Sequence, residues 1–191
     1  ATVLVMRSKP SDSKSVVAHR LNRVQDHLWI LSADAVTGVA KVLIEEKSES
    51  WINVTDDFRI LGDGRILRTS EQDGFRHVYL HGADGKMRKR ITRGEWEVSR
   101  LACVDEKAER IWYTGTEASP LERQLYTIGF DGKGKSRLTA AKGTHSVSMS
   151  PACDHYMDTY SNLDNPSRAT LNKGTGAEVK PCCSTRPLGR S

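Results

Sequence analysis

Long apolar runs are missing from this sequence of 191 residues. Stretches such as Val3 to Met6 and Leu28 to Leu31 stop after four residues, far short of the ~20 that a membrane-crossing helix needs. The chain is therefore read as having no membrane span. The amino terminus lacks an initiator Met and the basic-then-apolar layout of a signal peptide, and is expected to be a cut end. Aromatic residues make up only 6% and cysteines number four, at 103, 153, 182 and 183. With no C-x-x-C pair, the cysteines predict neither a zinc site nor a disulfide scaffold.

A one-signed charge field is missing too. The net charge is +5, but residues 1–172 account for only +2 of it and residues 173–191 for +3. In the body of the chain Lys and Arg alternate with Asp and Glu, whereas a phosphate-binding surface concentrates its positive charge. Nucleic acid is not an expected partner.

What the chain does have is a repeat. Four strand-like segments, 26–31, 76–81, 123–128 and 167–172, are each followed by a turn glycine, at 38, 85, 132 and 176, spaced by 47, 47 and 44 residues. Strands leading into the hairpins begin near Arg65, Arg110 and His155, each 45 residues after the last. In the second unit the alternation predicts strands at about 58–61, 65–70, 75–82 and 86–92, joined at Asp63-Gly64, Asp73-Gly74 and Asp84-Gly85. Asp-Gly accepts the positive φ angles of tight hairpins.

Four short antiparallel strands recurring every ~40–50 residues are the sequence form of a β-propeller blade. The expected fold is all-β, a propeller fragment of about four four-stranded antiparallel blades. The blades are placed at roughly 14–50, 51–97, 98–143 and 144–180, making 1–180 one partial propeller and 181–191 an irregular tail.

Motifs that could carry chemistry are each read against this repeat. Gly129-Phe130-Asp131-Gly132-Lys133-Gly134-Lys135-Ser136 matches G-x-x-x-x-G-K-S, but a phosphate loop must open a helix. This stretch instead aligns with the hairpin at Asp84-Gly85 one period earlier. His77 with His81, and Cys153 with His155, could approach a metal, but neither pair has two further ligands nearby; the histidines are expected on strand surfaces. Ser146 follows His145 without the G-x-S-x-G elbow of a hydrolase nucleophile. Asn53-Val54-Thr55 matches the N-glycosylation pattern. Trp51 and Trp96, 45 residues apart, are expected to pack between blades. No catalytic, substrate-binding, cofactor-binding or metal residue is assigned, and no cofactor is expected.

Five ordered segments, 21–26, 70–79, 93–98, 119–126 and 158–162, resemble the later propeller blades of dipeptidyl peptidase IV and its relatives in the prolyl oligopeptidase group of serine peptidases. Representative stretches are Ser70-Glu71-Gln72-Asp73-Gly74-Phe75-Arg76-His77-Val78-Tyr79 and Arg93-Gly94-Glu95-Trp96-Glu97-Val98. The resemblance spans about residues 14–172. It implies the amino-terminal propeller, usually eight-bladed, of a protein whose carboxy-terminal α/β-hydrolase domain holds the catalytic triad. Neither the G-W-S-Y-G-G nucleophile motif nor the D-W-V-Y-E-E segment that holds the substrate amine occurs in this sequence.

The resemblance thus implies a non-catalytic propeller portion. Its partners would be the parent chain's hydrolase domain and the peptide substrates of the intact enzyme, and its location periplasmic, secreted or cell-surface. Exposed blade faces could add self-association. The alternative is a free-standing four-bladed propeller serving as a protein-interaction scaffold. The sequence departs from the family pattern at Ser150-Pro151-Ala152-Cys153-Asp154, where relatives have Ser-Pro-Asp-Gly, which puts that turn in question.

If residues 129–136 form a turn, millimolar ATP leaves the melting temperature unchanged in the wild-type chain and in Lys135→Ala. A shift lost on that substitution would overturn the assignment.

Overall fold

A computed structural model describes residues 3–8, 14–161 and 167–183. Among them there is no helix, and the strands form four four-stranded antiparallel sheets. Sheet one contains β1 (Val3–Ser8), β2 (Ser15–Leu21), β3 (His27–Asp34) and β4 (Ala40–Lys47) in that order. Sheet two contains β5 (Phe58–Ile60), β6 (Ile66–Ser70), β7 (His77–His81) and β8 (Met87–Arg90). Sheet three contains β9 (Val98–Asp105), β10 (Arg110–Gly115), β11 (Gln124–Gly129) and β12 (Ser136–Arg137), and sheet four β13 (Thr144–Met149), β14 (His155–Ser161), β15 (Arg168–Lys173) and β16 (Glu178–Cys183).

The all-β reading holds, and the strands of sheet two fall within a residue or two of their sequence positions. At the two ends of the chain the sheets reach further than the repeat alone indicated. β1 pairs with β2 from Val3↔Leu21 to Ser8↔Val16, ahead of residue 14. β16 continues through Cys183, past Lys180; residues 184–191 of the expected tail, and Asn162 of the last family-like segment, lie outside the described residues.

The chain divides into two compact units, Ala1–Thr92 and Arg93–Ser191. The first holds sheets one and two. Val17, Leu21, Leu28, Ile30 and Ile44 from sheet one pack with Ile52, Phe58 and Ile66 in one apolar core. The hairpin glycine Gly85 (φ 79°) lies against the backbone of β4; a Cβ there would sit 1.8 Å from the Leu43 carbonyl oxygen. Only a residue without a side chain fits, both for the angle and for the space.

The second unit holds sheets three and four, joined by four different kinds of contact. Trp112, Leu125, Val147, Cys153 and Tyr156 form its apolar core. The Arg100 guanidinium donates to the Val147 carbonyl at 2.7 Å, and the Trp112 indole N–H to the Gly174 carbonyl at 2.9 Å. Arg123 and Thr144 form a parallel bridge. The fourth contact is a disulfide between Cys103 on β9 and Cys153, with Cα atoms 5.9 Å apart and a sequence separation of 50.

That disulfide corrects the expectation drawn from cysteine spacing. The partners are 50 residues apart in sequence and become neighbours because β9 and the β13–β14 turn lie side by side. Cys153 also explains how the turn forms without glycine: it adopts φ 57°, in the left-handed region that glycine enters most readily, and its N–H donates to the Ser150 carbonyl at 3.0 Å. The strain of a side chain in the left-handed region is held in place by burial and by the covalent link.

Cross-linking a ~50-residue loop removes ~4 kcal/mol of unfolded-state entropy in the chain-entropy model. Urea unfolding of the Cys103→Ser, Cys153→Ser double variant should show a loss of about 2–4 kcal/mol, matched by the wild-type chain under reductant. An unchanged midpoint would count against the clasp.

Candidate functional site

Segment 48–57 connects β4 to β5 and overhangs a polar cavity of about 400 Å³ in the first unit. Ile52 anchors it: its side chain is buried in the core and its N–H donates to the Gln25 carbonyl. In an extended segment the neighbours of a buried residue point the other way. Trp51 is accordingly 71% exposed at the cavity mouth, not packed between sheets as its spacing from Trp96 suggested. Trp96 is half-buried and stacks on Tyr113 with ring centroids 6.0 Å apart.

The cavity floor is charged. Glu46 on β4 and Arg68 on β6 are both buried and form an ion pair between sheets one and two. The Ser70 hydroxyl donates to the other Glu46 oxygen at 2.8 Å. Burial pulls the Arg68 guanidinium down to about 10, so it remains a cation at neutral pH. Its Nη1 group is buried without a hydrogen-bond partner. On the outer wall, Glu71 accepts from Asn53 at 2.9 Å and from Arg76 at 2.7 and 3.0 Å. These bonds tie the overhanging segment to the β6–β7 hairpin. The cavity thus has a polar floor, a buried and mutually bonded carboxylate, guanidinium and hydroxyl, and an exposed indole at its edge.

The other sequence candidates resolve into structural roles. Residues 129–136 make the β11–β12 hairpin, with Gly132 N–H donating to the Gly129 carbonyl and Gly129 N–H to the Lys133 carbonyl, both at 2.9 Å. Lys135 pairs with Glu117. His77 and His81 are buried, contrary to the strand-surface reading, because every position of β7 is buried. His77 Nδ1 meets the Thr92 hydroxyl at 3.0 Å and His81 Nδ1 the Gly85 carbonyl at 2.9 Å. Burial pulls the His81 imidazole down.

His145 is buried on β13 while Ser146 faces solvent on the opposite side. Its Nδ1 lies 2.8 Å from Asp158 and its Nε2 2.9 Å from the Ala141 carbonyl. Both ring nitrogens are therefore engaged by oxygen acceptors. Burial works against the charged ring, but the Asp158 and Ala141 bonds and the Asp158 charge outweigh it, and the His145 pKa is raised.

Sequence and structure comparisons place this geometry in a family. Residues 8–167 match the model for the dipeptidyl peptidase IV (DPP IV) N-terminal region. Dipeptidyl peptidase 8 of Homo sapiens is 30% identical over 187 residues, covering 80% of this chain and 20% of that protein. A probable dipeptidyl peptidase 4 of Aspergillus flavus is 25% identical over 184 residues, 91% of this chain and 23% of the relative. The crystal structure of Porphyromonas gingivalis dipeptidyl peptidase 4 superposes with a TM-score of 0.86 at 26% identity, over 93% of this chain and 25% of that one. The chain thus spans about a fifth to a quarter of the length of these relatives.

A group whose folded pKa is raised contributes stability that is complete below its unfolded value, near 6.5, and is lost as pH rises through the folded value. Urea midpoints should therefore fall more between pH 6 and pH 9 for the wild-type chain than for His145→Gln. Equal falls would remove His145 as the source.

Four antiparallel sheets, no helix among the described residues and a family match over residues 8–167 carry one conclusion: the chain belongs to the dipeptidyl peptidase IV N-terminal region family and is a β-propeller portion of such a protein.

Proposed function

We propose that this chain is the non-catalytic propeller portion of a dipeptidyl-peptidase-IV-like serine exopeptidase, each sheet being one blade. It works with an α/β-hydrolase domain of the parent chain, restricting entry to short or unfolded peptides and forming part of the pocket wall. The observation that carries this reading is the superposition on the Porphyromonas gingivalis enzyme over 93% of the chain. The polar cavity beneath Trp51 adds to it. An exposed indole at the edge of a polar cavity offers stacking area to an extended peptide, which is what a wall lining a peptide entrance requires. The hydrolase domain would supply nucleophile, base and oxyanion donors, and the propeller only orientation and size selection.

Two measurements test this. The chain alone should give no turnover of Gly-Pro or Ala-Pro chromogenic substrates, and hydrolysis that survives repurification would refute the non-catalytic reading. In the parent enzyme, Trp51→Ala should lower kcat/KM about 5- to 10-fold for peptides extending beyond the cleaved dipeptide, the loss of one stacked aromatic contact. The short chromogenic substrates should be spared; equal losses on both would place Trp51 outside the peptide path.

A further inference from the structure

The second unit carries another cavity, of about 480 Å³, and it differs in chemistry from the first. It opens among the hairpin ends of sheets three and four. Its interior is the Trp112 indole, the Leu138 side chain and Cys153 of the disulfide. The indole N–H is already committed to the Gly174 carbonyl, so the ring offers the cavity only hydrocarbon. Small-molecule sites have this make-up and this size, within ~300–1,000 Å³, with a few polar groups fixing orientation.

The rim supplies those groups, and its charge is unbalanced. Arg110 reaches only the Thr127 hydroxyl and the Gly134 carbonyl, at 3.4 and 3.3 Å. Among the described residues neither Arg110 nor Lys173 has a carboxylate partner. The rim's acid, Asp154, is occupied: it accepts from the Ser150 hydroxyl at 2.6 Å and faces His155 Nδ1 at 3.1 Å, and the Ser150 bond, ahead of its other contacts, holds it below the usual carboxylate range. Two cations against one carboxylate leave the rim of this apolar pocket with a net positive charge.

We propose that this pocket binds a small amphiphilic anion, an aromatic or aliphatic carboxylate whose hydrocarbon lies against Trp112 and Leu138 and whose carboxylate meets Arg110 and Lys173. A bare inorganic anion would leave the indole and leucine unmatched, and a neutral apolar molecule would leave the rim's excess positive charge unmatched. The guanidinium and the ammonium both line the cavity, and both donate to carboxylate oxygens. The assignment is independent of the peptidase reading, because it uses no residue of the Trp51 cavity.

Calorimetric titration of the chain with 4-phenylbutyrate and with its neutral amide is the test. Saturable binding is expected, with the acid favoured about 5-fold or more over the amide, the usual scale for a charge contact near the surface. Lys173→Gln, at an exposed position that leaves the fold intact, should erase most of that preference without weakening the amide. Leu138→Trp should fill the cavity and abolish binding of both compounds. Absence of saturable heat, equal affinity for acid and amide, or undiminished binding to Leu138→Trp would each overturn the proposal. An acid preference unchanged by Lys173→Gln together with Arg110→Gln would overturn it as well.

Discussion

Two-sided burial of the middle strands is the constraint on which the molecule rests. Every residue of β6 and β7 is buried, and five of six in each of β10 and β11. A sheet whose central strands can show neither face to water has no independent existence, because its apolar area would remain solvated. The apolar cores confirm the dependence: Ile30 and Ile44 share one with Phe58 and Ile66, and Trp112 and Leu125 share another with Val147 and Tyr156. The buried Glu46–Arg68 ion pair and the disulfide both lie where one sheet meets the next.

Polar groups at such a junction have to be matched, and they are matched across sheets. Glu46 and Arg68, 22 residues apart, place opposite charges inside the first unit, with Ser70 completing the carboxylate's bonds. Removing one partner of a buried pair typically costs ~3–5 kcal/mol, far more than the pair contributes against an apolar substitute. Its value lies in register: only one alignment of β4 against β6 brings carboxylate, guanidinium and hydroxyl together. Glu46, Arg68 and Ser70 also line the cavity under Trp51, so the scaffold and the candidate site share one interaction.

How far the sequence could be read follows from which forces are local. Strand positions in sheet two and its turns at Gly64, Gly74 and Gly85, all at positive φ, were legible because alternation and Asp-Gly pairs act over a few residues. The phosphate-loop look-alike at 129–136 was correctly placed as a hairpin because the repeat supplied its context. Alternation failed for His77 and His81, since in a strand buried on both sides polar and apolar positions are equally enclosed. It failed for Trp51 because the anchor of that segment is the adjacent Ile52, and a 45-residue spacing does not say which of two neighbours faces inward. The Cys103–Cys153 link, the Glu46–Arg68 pair and the apolar pocket beside Trp112 join residues 22 to 62 positions apart; no local pattern announces them.

Gly85 shows what such packing asks of a single position. With the Leu43 carbonyl oxygen 1.8 Å from where a methyl group would begin, the gap between the β7–β8 hairpin and β4 is set by main chain touching main chain, not by interdigitated side chains. It works as a gauge block. Even alanine would be a wedge driven between two sheets, and because their shared apolar core lies behind it, the displacement would open a space that rigid neighbouring side chains fill poorly. The smallest residue in the chain therefore fixes how close the two largest pieces of the first unit can come.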